Sequence, residues 1–387
     1  MKKILMIVQN DFVNDSRIIK EANALGENGF EVNVLALHND GLKEVEKFQF
    51  FLVKRIKLAT RSKLGKNKFS QAFKFWEFKQ KCLKEAIKFK PDFVHCHDVY
   101  TLPIGERIIG KLGKENIKLI YDSHELWSQA SNNITMPKSL LYIQNSIEKK
   151  VIKKCDSIIT VSPSIVKYLK KVYNLQKSPI LIRNIPFLYK NVKKEKLFHK
   201  QFKLDETKKI LIYQGVISKG RGIEKLIEAM KSVDEKIVFV VLGNGSMVES
   251  YKKYVKELNL ENRVYFHPAV SPDVLVKYTA SADLGVSMIK NICLSYYYSL
   301  PNKMFEYIQA EIPVLCSNYP DMEDIVTNYR VGEVTNPDDD NNIATAINKI
   351  LSDNKMYKVY VDNCINAKEE LNWQCESEKL IKLYQSL

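Results

Sequence analysis

The fold is decided by one stretch of the sequence, Ile210-Leu211-Ile212-Tyr213-Gln214-Gly215-Val216-Ile217-Ser218-Lys219-Gly220-Arg221-Gly222-Ile223. An apolar run ends in a first glycine, and two more glycines precede an amphipathic segment. A strand, a glycine turn and a helix in this order bring backbone N–H groups together with the positive end of a helix dipole. Arg221 adds a planar fork of donors that fits phosphate oxygens. The alternative is an ordinary tight turn with a surface arginine.

The rest of the chain alternates short β-branched runs with longer amphipathic stretches, which is typical of parallel sheets with crossover helices. In the first half we predict strands at 3–8, 31–37, 93–97, 118–122, 157–161 and 179–183 and helices at 16–28 and 102–112. In the second half we predict strands at 209–214, 236–242, 263–267, 284–288 and 313–317 and helices at 223–231, 247–258 and 303–309.

The length of 387 residues exceeds the usual size of one hydrophobic core, so two domains are expected. The repeated rhythm predicts an α/β protein of two facing Rossmann-like domains with a central cleft, where ligands bind outside the carboxyl ends of the strands. We place the first domain at residues 1–186, a linker at 187–208 and the second domain at 209–370. A C-terminal helix at 371–387 is predicted to cross back onto the first domain.

The charge is uneven along the chain. The net charge is +15, and the segment from Lys43 to Lys90 holds fifteen Lys or Arg and four Glu, interleaved with aromatic residues. An anionic lipid surface, a phosphorylated substrate or nucleic acid would suit such a segment, although a generally lysine-rich, solvated surface is the alternative. Nucleic acid is the weakest of these partners because no recognised binding module is present.

The expected location is the cytoplasm, with peripheral contact to the inner face of the plasma membrane as an option. The first apolar run, after Met1-Lys2-Lys3, is too short for a signal core, and no uncharged run reaches the ~20 residues of a membrane span. The seven cysteines show no paired spacing, as expected of reduced thiols.

A second cluster of polar residues lies in the segment 300–314. Asn302 and Lys303 occupy the first turn of a predicted helix, where they can meet an anion, and Glu306 lies one turn further on the same face. A carboxylate at this place could accept both hydroxyls of a ribose. A solvated helix residue explains Glu306 equally well on these grounds.

Two histidines, His95 and His97, alternate onto one face of a predicted strand and are followed by Asp98. This group suggests a metal site, but paired histidines at a strand end are commonly structural and no second ligand cluster is visible. We therefore expect no metal. The run 338–340, three aspartates, is interpreted as an exposed turn.

Together these motifs give the chain a resemblance to a known family. It is similar to retaining glycosyltransferases of the GT-B fold, specifically glycosyltransferase family 4 of the group 1 type. The resemblance extends over essentially the whole chain in the right order. The motifs that carry it are Asp15-Ser16-Arg17, Glu21-Ala22, Gly29-Phe30-Glu31-Val32, Pro91-Asp92-Phe93-Val94-His95-Cys96-His97-Asp98, Tyr121-Asp122-Ser123-His124-Glu125, Ile159-Thr160-Val161-Ser162, Tyr213-Gln214-Gly215, Gly220-Arg221-Gly222-Ile223-Glu224, Leu242-Gly243-Asn244-Gly245, Val264-Tyr265-Phe266-His267, Ala282-Asp283-Leu284 and Pro301-Asn302-Lys303-Met304-Phe305-Glu306-Tyr307.

The resemblance implies roles for individual residues. Arg221, Lys303 and His124 are expected to be catalytic; Gly215, Gly220, Gly222, Asn302, Glu306 and Tyr298 to bind the donor; and Arg17, His97 and Glu125 to lie on the acceptor side. In the family His124 faces the donor sugar from the opposite wall, and Glu306 binds the ribose.

Three positions depart from the family pattern. Val216 stands where one member of the basic pair for the pyrophosphate is expected, and we hypothesise that Lys303 replaces it. Tyr298 stands where a glutamate contacts the transferred sugar, so sugar recognition is altered. Glu311 stands at a usual glycine.

The implied activity is the retaining transfer of a hexose from a UDP- or GDP-linked sugar, without a metal, to a glycan or polyprenyl-pyrophosphate-linked acceptor in bacterial surface polysaccharide synthesis. Two other functions stay open. One is a nucleotide-sugar epimerase of the same architecture, against which the missing glutamate at position 298 counts. The other is a non-catalytic nucleotide-sugar-binding protein, which Val216 and Tyr298 would favour.

Overall fold

The computed structural model describes residues 1–13, 15–63, 65, 68–130, 136 and 138–387. The chain forms two compact units, one of residues 1–183 with 376–387 and one of residues 184–375. Each unit is an α/β domain built on a mainly parallel sheet. Among the described residues, none of the helices is both long enough and apolar enough to cross a membrane.

In the first unit the described residues form one sheet in the order β3-β4-β2-β1-β5-β6-β7-β8. Its strands are β1 (Lys3–Ile7), β2 (Glu31–Leu37), β3 (Val45–Lys47), β4 (Phe51–Ile56), β5 (Phe93–His97), β6 (Lys118–Ser123), β7 (Ser157–Thr160) and β8 (Ile180–Leu181). All neighbours pair in parallel except β3, which runs antiparallel to β4. From β1 the sheet grows first to one side, through β2, and then to the other, through β5. The carboxyl ends of β1 and β5 therefore form a topological switch point.

The helices of the first unit connect these strands. They are α1 (Ser16–Glu27), α2 (Ala59–Lys63), α3 (Lys68–Phe89), α4 (Leu102–Leu112), α5 (Lys138–Val151) and α6 (Pro163–Tyr173), joined by the later residues of α16 (Trp373–Ser386). Helix α1 begins after Asp15, whose side chain accepts a hydrogen bond from the N–H of Ile18 at 3.4 Å. Such a cap satisfies one of the free donors of the first turn.

The basic segment 43–90 contains β3, β4, α2 and α3, which the sequence pattern did not predict. Residues 64, 66 and 67 of this segment lie outside the described residues. The short strand β3 lies at the edge of the sheet, and Val45 is half exposed there. Charged residues interrupt the apolar ones in both strands, Glu46 and Lys47 in β3 and Lys54 and Arg55 in β4, so the apolar run of a central strand is short.

In the second unit the described residues form a parallel sheet in the order β11-β10-β9-β12-β13-β14. Its strands are β9 (Lys209–Gln214), β10 (Ile237–Leu242), β11 (Val264–His267), β12 (Leu284–Ser287), β13 (Val314–Ser317) and β14 (Gly332–Thr335). Its helices are α7 (Leu197–Phe202), α8 (Ile223–Ala229), α9 (Val248–Glu257), α10 (Pro272–Ala280), α11 (Leu294–Tyr297), α12 (Asn302–Gln309), α13 (Pro320–Tyr329), α14 (Asp340–Ser352) and α15 (Asn354–Ala367). Here the switch point lies between β9 and β12.

The segment 187–208, predicted as a linker, belongs to the second unit. It contains α7, and Phe198 on that helix is completely buried in the core of the unit. The side chain of Gln309 joins the segment to the rest: its oxygen accepts from the N–H of Tyr189, and its amide donates to the carbonyls of Lys368 and Leu371. The segment is rich in lysine and shows no apolar periodicity, so this packing could not be predicted from the sequence.

Helix α16 packs on the first unit, as the predicted crossing of the C-terminal helix requires. The buried carboxylate of Glu376 accepts hydrogen bonds from the backbone N–H of Arg183 at 3.0 Å and from its Nε at 2.8 Å. Further along, the hydroxyl of Tyr384 lies 2.7 Å from Nδ1 of His95. The helix therefore completes the core of the first unit.

We predict that Glu376→Ala weakens the attachment of α16, because it removes a buried carboxylate and leaves the partly buried Arg183 guanidinium without its counter-charge. Breaking a buried ion pair costs about 3–5 kcal/mol. Hydrogen-exchange mass spectrometry will measure the weaker attachment as faster amide exchange in peptides from α16 and β8. Glu378→Ala is the control, because Glu378 is exposed and 3.7 Å from Lys382, and such surface pairs contribute about 0–1 kcal/mol. Equal exchange in the two variants would contradict the prediction.

Candidate functional site

The glycine turn of the second unit lies at the switch point, outside the carboxyl ends of β9 and β12. Gly222 has φ of 73° and precedes α8, and a Cβ there would lie 1.6 Å from the carbonyl oxygen of Met288. Only glycine permits both the positive φ and this close approach of the chain. The N-terminus of α8 is thereby fixed against the chain that leaves β12.

Lys303 on α12 points at the other end of this turn. Its Nζ lies 3.5 Å from the centre of the Tyr213 ring and 3.6 Å from the position that a Cβ of Gly215 would occupy. Burial and the nearby positive charge of Arg221 lower the pKa of the Lys303 ammonium well below its usual range, against the opposing charge of Glu306. An ammonium in this position lacks a full counter-charge, which an anion at the turn would supply.

Arg221 provides a second cation at the same turn. Its guanidinium carbon lies 4.9 Å from the centre of the Tyr296 ring. Its Nε is buried and meets no hydrogen-bond acceptor among the described residues. A stacked guanidinium with a free buried donor is preorganised for an anion, because binding then costs little side-chain entropy.

Glu306 is held by two buried polar residues. The amide of Gln214 donates a short hydrogen bond to its carboxylate, and the oxygen of that amide accepts from the hydroxyl of Thr279 at 2.7 Å. Gln214 and Thr279 are almost completely buried. Because a carboxylate only accepts, the NH₂ group of the amide faces Glu306, and the contact with Thr279 holds the amide in this place, so the carboxylate of Glu306 is oriented at the carboxyl end of β9.

The other predicted donor residues surround this group. Gly220 is buried with φ of 83°, and Asn302 is exposed as the first residue of α12. Tyr298 follows α11, and its ring lies 5.5 Å from that of Tyr297. Val216, at the expected basic position, has 61% of its surface exposed. The structure thus brings Arg221, Lys303, Glu306 and the glycines together, with Lys303 beside Gly215.

The departure at Glu311 has a physical account. Its φ of 58° is in the left-handed region, which favours glycine. Its carboxylate accepts a hydrogen bond at 2.7 Å from Nζ of Lys368, which is buried, and its carbonyl accepts from Lys194 at 3.3 Å. These contacts offset the strain of a side chain at this position.

In the first unit the carboxyl edge of the sheet is dominated by a buried ion pair. Arg17 on α1 donates from Nε and Nη2 to the two carboxylate oxygens of Asp122 at 2.8 and 2.9 Å, and from Nη1 to the carbonyl of Ile182 at 3.0 Å. Arg17 is only 3% exposed. Arg17, predicted on the acceptor side, is therefore placed to hold Asp122 rather than to reach an acceptor.

His124 follows β6 and contacts this pair. Its Nε2 lies 3.0 Å from Oδ2 of Asp122 and 3.1 Å from Nδ1 of His97, and its Nδ1 lies 3.5 Å from Oδ2 of Asp98. Burial lowers the pKa of His124, but the charges of Asp98 and Asp122 outweigh it and raise the pKa to about 10. Glu125, the next residue, is half-buried, and its carbonyl accepts from the hydroxyl of Ser123 at 2.9 Å.

Glu21 and His95 complete a buried group that has the composition of a metal site. Ligand atoms of Glu21, His95, His97 and Asp122 all lie within 4.8 Å of one another. However, the carboxylate of Asp122 already accepts from Arg17, whose Nε is also 3.0 Å from Oε1 of Glu21. A guanidinium takes the place of the cation, so these residues do not fit a metal ion, and the expectation of no metal stays a prediction.

A polar pocket of about 260 Å³ lies at the switch point of the first unit, where β1 and β5 end. Its lining residues are Val8, Gln9, Asn10, Asp15, Ile18, His97, Asp98 and Tyr100. His97 thus lines a space large enough for a small ligand, and its place on the acceptor side stays a prediction. Carboxylate, amide and imidazole groups together suit the hydroxyl groups of a sugar.

Sequence reasoning missed the residues that hold these side chains. Gln214 and Asp122 were quoted in motifs without a role, and Thr279 was not singled out. The available signal was a polar residue at the end of an apolar strand, which is uncommon unless the residue is hydrogen-bonded.

Comparison with known proteins places these features in a family. Residues 194–367 match the family Glycosyl transferases group 1, and residues 17–183 match Glycosyltransferase Family 4. The chain belongs to the glycosyltransferases of this type, which have the GT-B fold.

Curated relatives and solved structures agree with this assignment. An uncharacterized glycosyltransferase of Methanocaldococcus jannaschii is 24% identical over 72% of this chain and 71% of its own length. Chitobiosyldiphosphodolichol beta-mannosyltransferase of Candida albicans is 26% identical over 66% of this chain and 60% of its own length.

Among solved structures, sucrose-phosphate synthase of Thermosynechococcus elongatus has a TM-score of 0.83 at 19% identity, covering 100% of this chain and 99% of that one. HepE of Anabaena in complex with UDP and glucose has a TM-score of 0.77 at 15% identity, covering both chains completely. At these identities the structures show the shared fold.

We predict that Lys303→Met stabilises the second unit, because a poorly compensated ammonium is replaced by an apolar chain of similar length. Since the folded-state pKa of Lys303 is lowered, unfolding takes up a proton, and the stability of the wild type rises with pH. The advantage of the variant is therefore largest at low pH and shrinks toward the usual lysine pKa of about 10.4.

Differential scanning calorimetry between pH 6 and 9 measures this effect. A gain of about 1 kcal/mol corresponds to about 2–4 °C for a unit of this size. Lys253→Met is the matched control, because the side chain of Lys253 is 81% exposed. A Lys303→Met variant less stable than the wild type at pH 6 would refute the prediction.

Proposed function

We propose that the protein transfers a hexose from a nucleotide-diphosphate sugar, with retention of anomeric configuration, to a glycan or lipid-linked glycan in bacterial surface polysaccharide synthesis. One observation carries the donor part of this proposal. Two incompletely compensated cations, Arg221 and Lys303, lie at the turn after β9, where Gln214 also orients the carboxylate of Glu306.

The donor chemistry follows from that group. The diphosphate lies on the glycine turn and the N-terminus of α8, where backbone donors and the helix dipole favour an anion. Arg221 and Lys303 neutralise the charge that grows on the leaving diphosphate as the sugar departs. Glu306 accepts hydrogen bonds from the ribose hydroxyls. The fold neighbour HepE, in complex with UDP and glucose, supports a nucleotide of this kind.

These cations also explain why we propose that no metal ion takes part. A divalent ion in such reactions balances the charge of the diphosphate. Arg221 and Lys303 supply two positive charges at the turn itself. The leaving diphosphate, held on one face of the sugar, then accepts the proton of the incoming hydroxyl, which gives retention.

The acceptor part rests on the first unit. The polar pocket at its switch point shares Gln9 and Tyr100 with an apolar groove of about 620 Å³. The groove is lined by residues of α3, α4, α5 and the turn before α4, among them Phe75, Val99 and Ile147. A polar pocket continuous with an apolar groove suits a sugar attached to a lipid. The relative from Candida albicans is named for a diphosphodolichol-linked substrate, which supports this class.

Helix α3 offers a surface for the membrane that would hold such a lipid. Phe69, Phe73 and Trp76 are 82%, 60% and 59% exposed, and Lys74 and Lys84 lie on the same helix. Exposed aromatic residues among lysines are typical of interfacial helices that bind anionic lipid headgroups.

We predict that Arg221→Ala lowers kcat by about two to three orders of magnitude with saturating donor, because one preorganised donor to the developing charge is lost. A panel of UDP-, GDP- and dTDP-linked sugars, screened by thermal shift, first selects the donor. Transfer is then measured with the selected donor and a lipid-linked acceptor.

Lys253→Ala, at an exposed side chain of α9, is the control and should keep the wild-type rate. Near-normal turnover of Arg221→Ala would contradict the role assigned to Arg221. NMR of the product distinguishes retention from inversion, and incubation of donor alone tests the epimerase, which would form an isomer without acceptor. Nucleotide binding without any turnover would instead favour the non-catalytic function.

We predict that the protein sediments with vesicles of phosphatidylglycerol and phosphatidylcholine but much less with phosphatidylcholine alone. High salt should weaken the binding, because it screens the lysines. The double variant Phe73→Ser with Trp76→Ser should bind less, whereas Val359→Ser, at an exposed apolar residue of the second unit, should not. Equal and negligible binding to both kinds of vesicle would contradict membrane contact.

A further inference from the structure

The ring of His124 is enclosed by two carboxylates, one at each nitrogen. Nε2 lies 3.0 Å from Oδ2 of Asp122, and Nδ1 lies 3.5 Å from Oδ2 of Asp98. Ionised carboxylates only accept hydrogen bonds, so Nε2 donates to Asp122, whereas Asp98 faces Nδ1 at ion-pair distance. Asp98 also accepts from the backbone N–H of His124 through Oδ1 at 3.4 Å. The ring thus lies between two negative charges, which favour its protonated form.

The neighbouring ring of His97 belongs to the same cluster. Its Nδ1 lies 3.1 Å from Nε2 of His124 and 3.4 Å from Oδ2 of Asp122, and a contact between two ring nitrogens needs one proton between them. Nε2 of His97 is buried and has no hydrogen-bond partner among the described residues. Burial lowers the pKa of His97, which favours its neutral form. The Nε2–H of His124 is then shared between Asp122 and Nδ1 of His97.

Arg17 keeps the buried carboxylate of Asp122 charged and in place. Its guanidinium grips both oxygens of Asp122, and its third donor is fixed on the carbonyl of Ile182. Burial acts to raise the pKa of Asp122, but the charges of Arg17 and His124, with the hydrogen bonds from His124 and His97, together outweigh it and lower the pKa well below its usual range. A planar fork on two carboxylate oxygens also sets the angle at which Oδ2 meets His124.

The charges around His124 are closest to balance when the ring is protonated. The charged and titratable groups near it come from α1, β5, β6 and the loops beside them: Asp15, Arg17, Glu21, His95, His97, Asp98 and Asp122. Burial raises the pKa of Glu21, which favours its neutral acid. Arg17 and a charged His124 then oppose Asp122 and Asp98, and Asp15, near His97, adds a third carboxylate. With a neutral ring, these carboxylates would face a single cation.

We propose that His124 is a permanent cation, doubly protonated by virtue of Asp122 and Asp98, and that Arg17 is a positioning residue that acts on it through Asp122. The ring has no lone pair to offer, so it does not serve as a general base. It supplies a positive charge and the Nδ1–H donor at the carboxyl edge of the first sheet.

The chemical class of its ligand follows from the exposure of Asp98. The side chain of Asp98 is 41% exposed, while that of Asp122 is completely buried. Asp98 is therefore the partner that a ligand can displace from Nδ1. The incoming group has to be an electron-rich oxygen, such as a phosphate or hydroxyl oxygen of a glycosyl substrate. This last step rests on the proposed function, whereas the charge of His124 does not.

The test is the protonation state of His124 in the free protein. We would label the histidines with ¹⁵N, record two-bond ¹H–¹⁵N correlations from pH 6 to 9.5, and assign His124 with a His124→Gln variant. Both nitrogens of His124 should show the chemical shifts of protonated nitrogen up to about pH 9. A neutral tautomer at pH 7.5, with one protonated and one unprotonated nitrogen, would overturn the proposal.

Two variants separate the roles of the partners. Asp98→Asn removes one charge at an exposed position, and because asparagine has the shape of aspartate it adds no strain at the φ of 61° and ψ of 163° found there. It should weaken proton binding by His124 about tenfold or more, the usual effect of losing one close carboxylate. Arg17→Lys keeps a positive charge but loses the fork, and it should weaken proton binding in the same direction. Asp40→Asn, at an exposed residue in the loop before β3, is the control and should leave the His124 signals unchanged.

A structural role alone would leave the His124 signals of Arg17→Lys unchanged, and that result would overturn the role assigned to Arg17. Titration of the wild type with the donor and with an acceptor tests the ligand step separately. A shift of the Nδ1 signal supports it. If neither substrate shifts the signals of a protonated His124, the proposed ligand contact at Nδ1 is wrong, whereas the proposed charge of His124 is unaffected.

Discussion

Parallel strands of one sheet all end at the same edge, and both candidate sites depend on this constraint. In the second unit it brings the turn after β9 against the chain that leaves β12, so Gly222 contacts the carbonyl of Met288. In the first unit it brings the ends of β5 and β6 together, so His97 meets His124. The central strands are largely apolar and buried. They fix the positions of the polar groups at their carboxyl ends and in the turns that follow.

Much of this framework could be predicted from the sequence. Strand β5 and helix α4 have the predicted bounds, because their apolar periodicity is strong. The strands of the basic segment and helices α5 and α6 were missed, since lysines interrupt their apolar pattern. Arg221, Lys303 and Glu306 were visible because each lies within one turn of a helix start. Thr279 and Gln214, 65 positions apart, and Arg17 and Asp122, 105 positions apart, meet only in the folded chain.

The two units solve the same physical problem in different ways. A functional side chain needs a fixed direction, and an exposed charge alone has too much freedom to provide it. In the second unit a neutral pair, Thr279 and Gln214, directs the carboxylate of Glu306. In the first unit a buried ion pair directs His124. The neutral pair orients a charge without altering it, whereas the ion pair also determines which charge the ring has.

The docking of α16 on the first unit affects the order in which the protein matures on the ribosome. Domains generally fold in the order of their synthesis, N-terminal first. Here His95 lacks its partner until Tyr384 has been made, and Arg183 waits for Glu376. The second unit, residues 184–375, is synthesised within that interval. The unit whose translation begins first is therefore the last to be completed. While the second unit forms, His95 and Arg183 lack the hydrogen bonds that α16 provides.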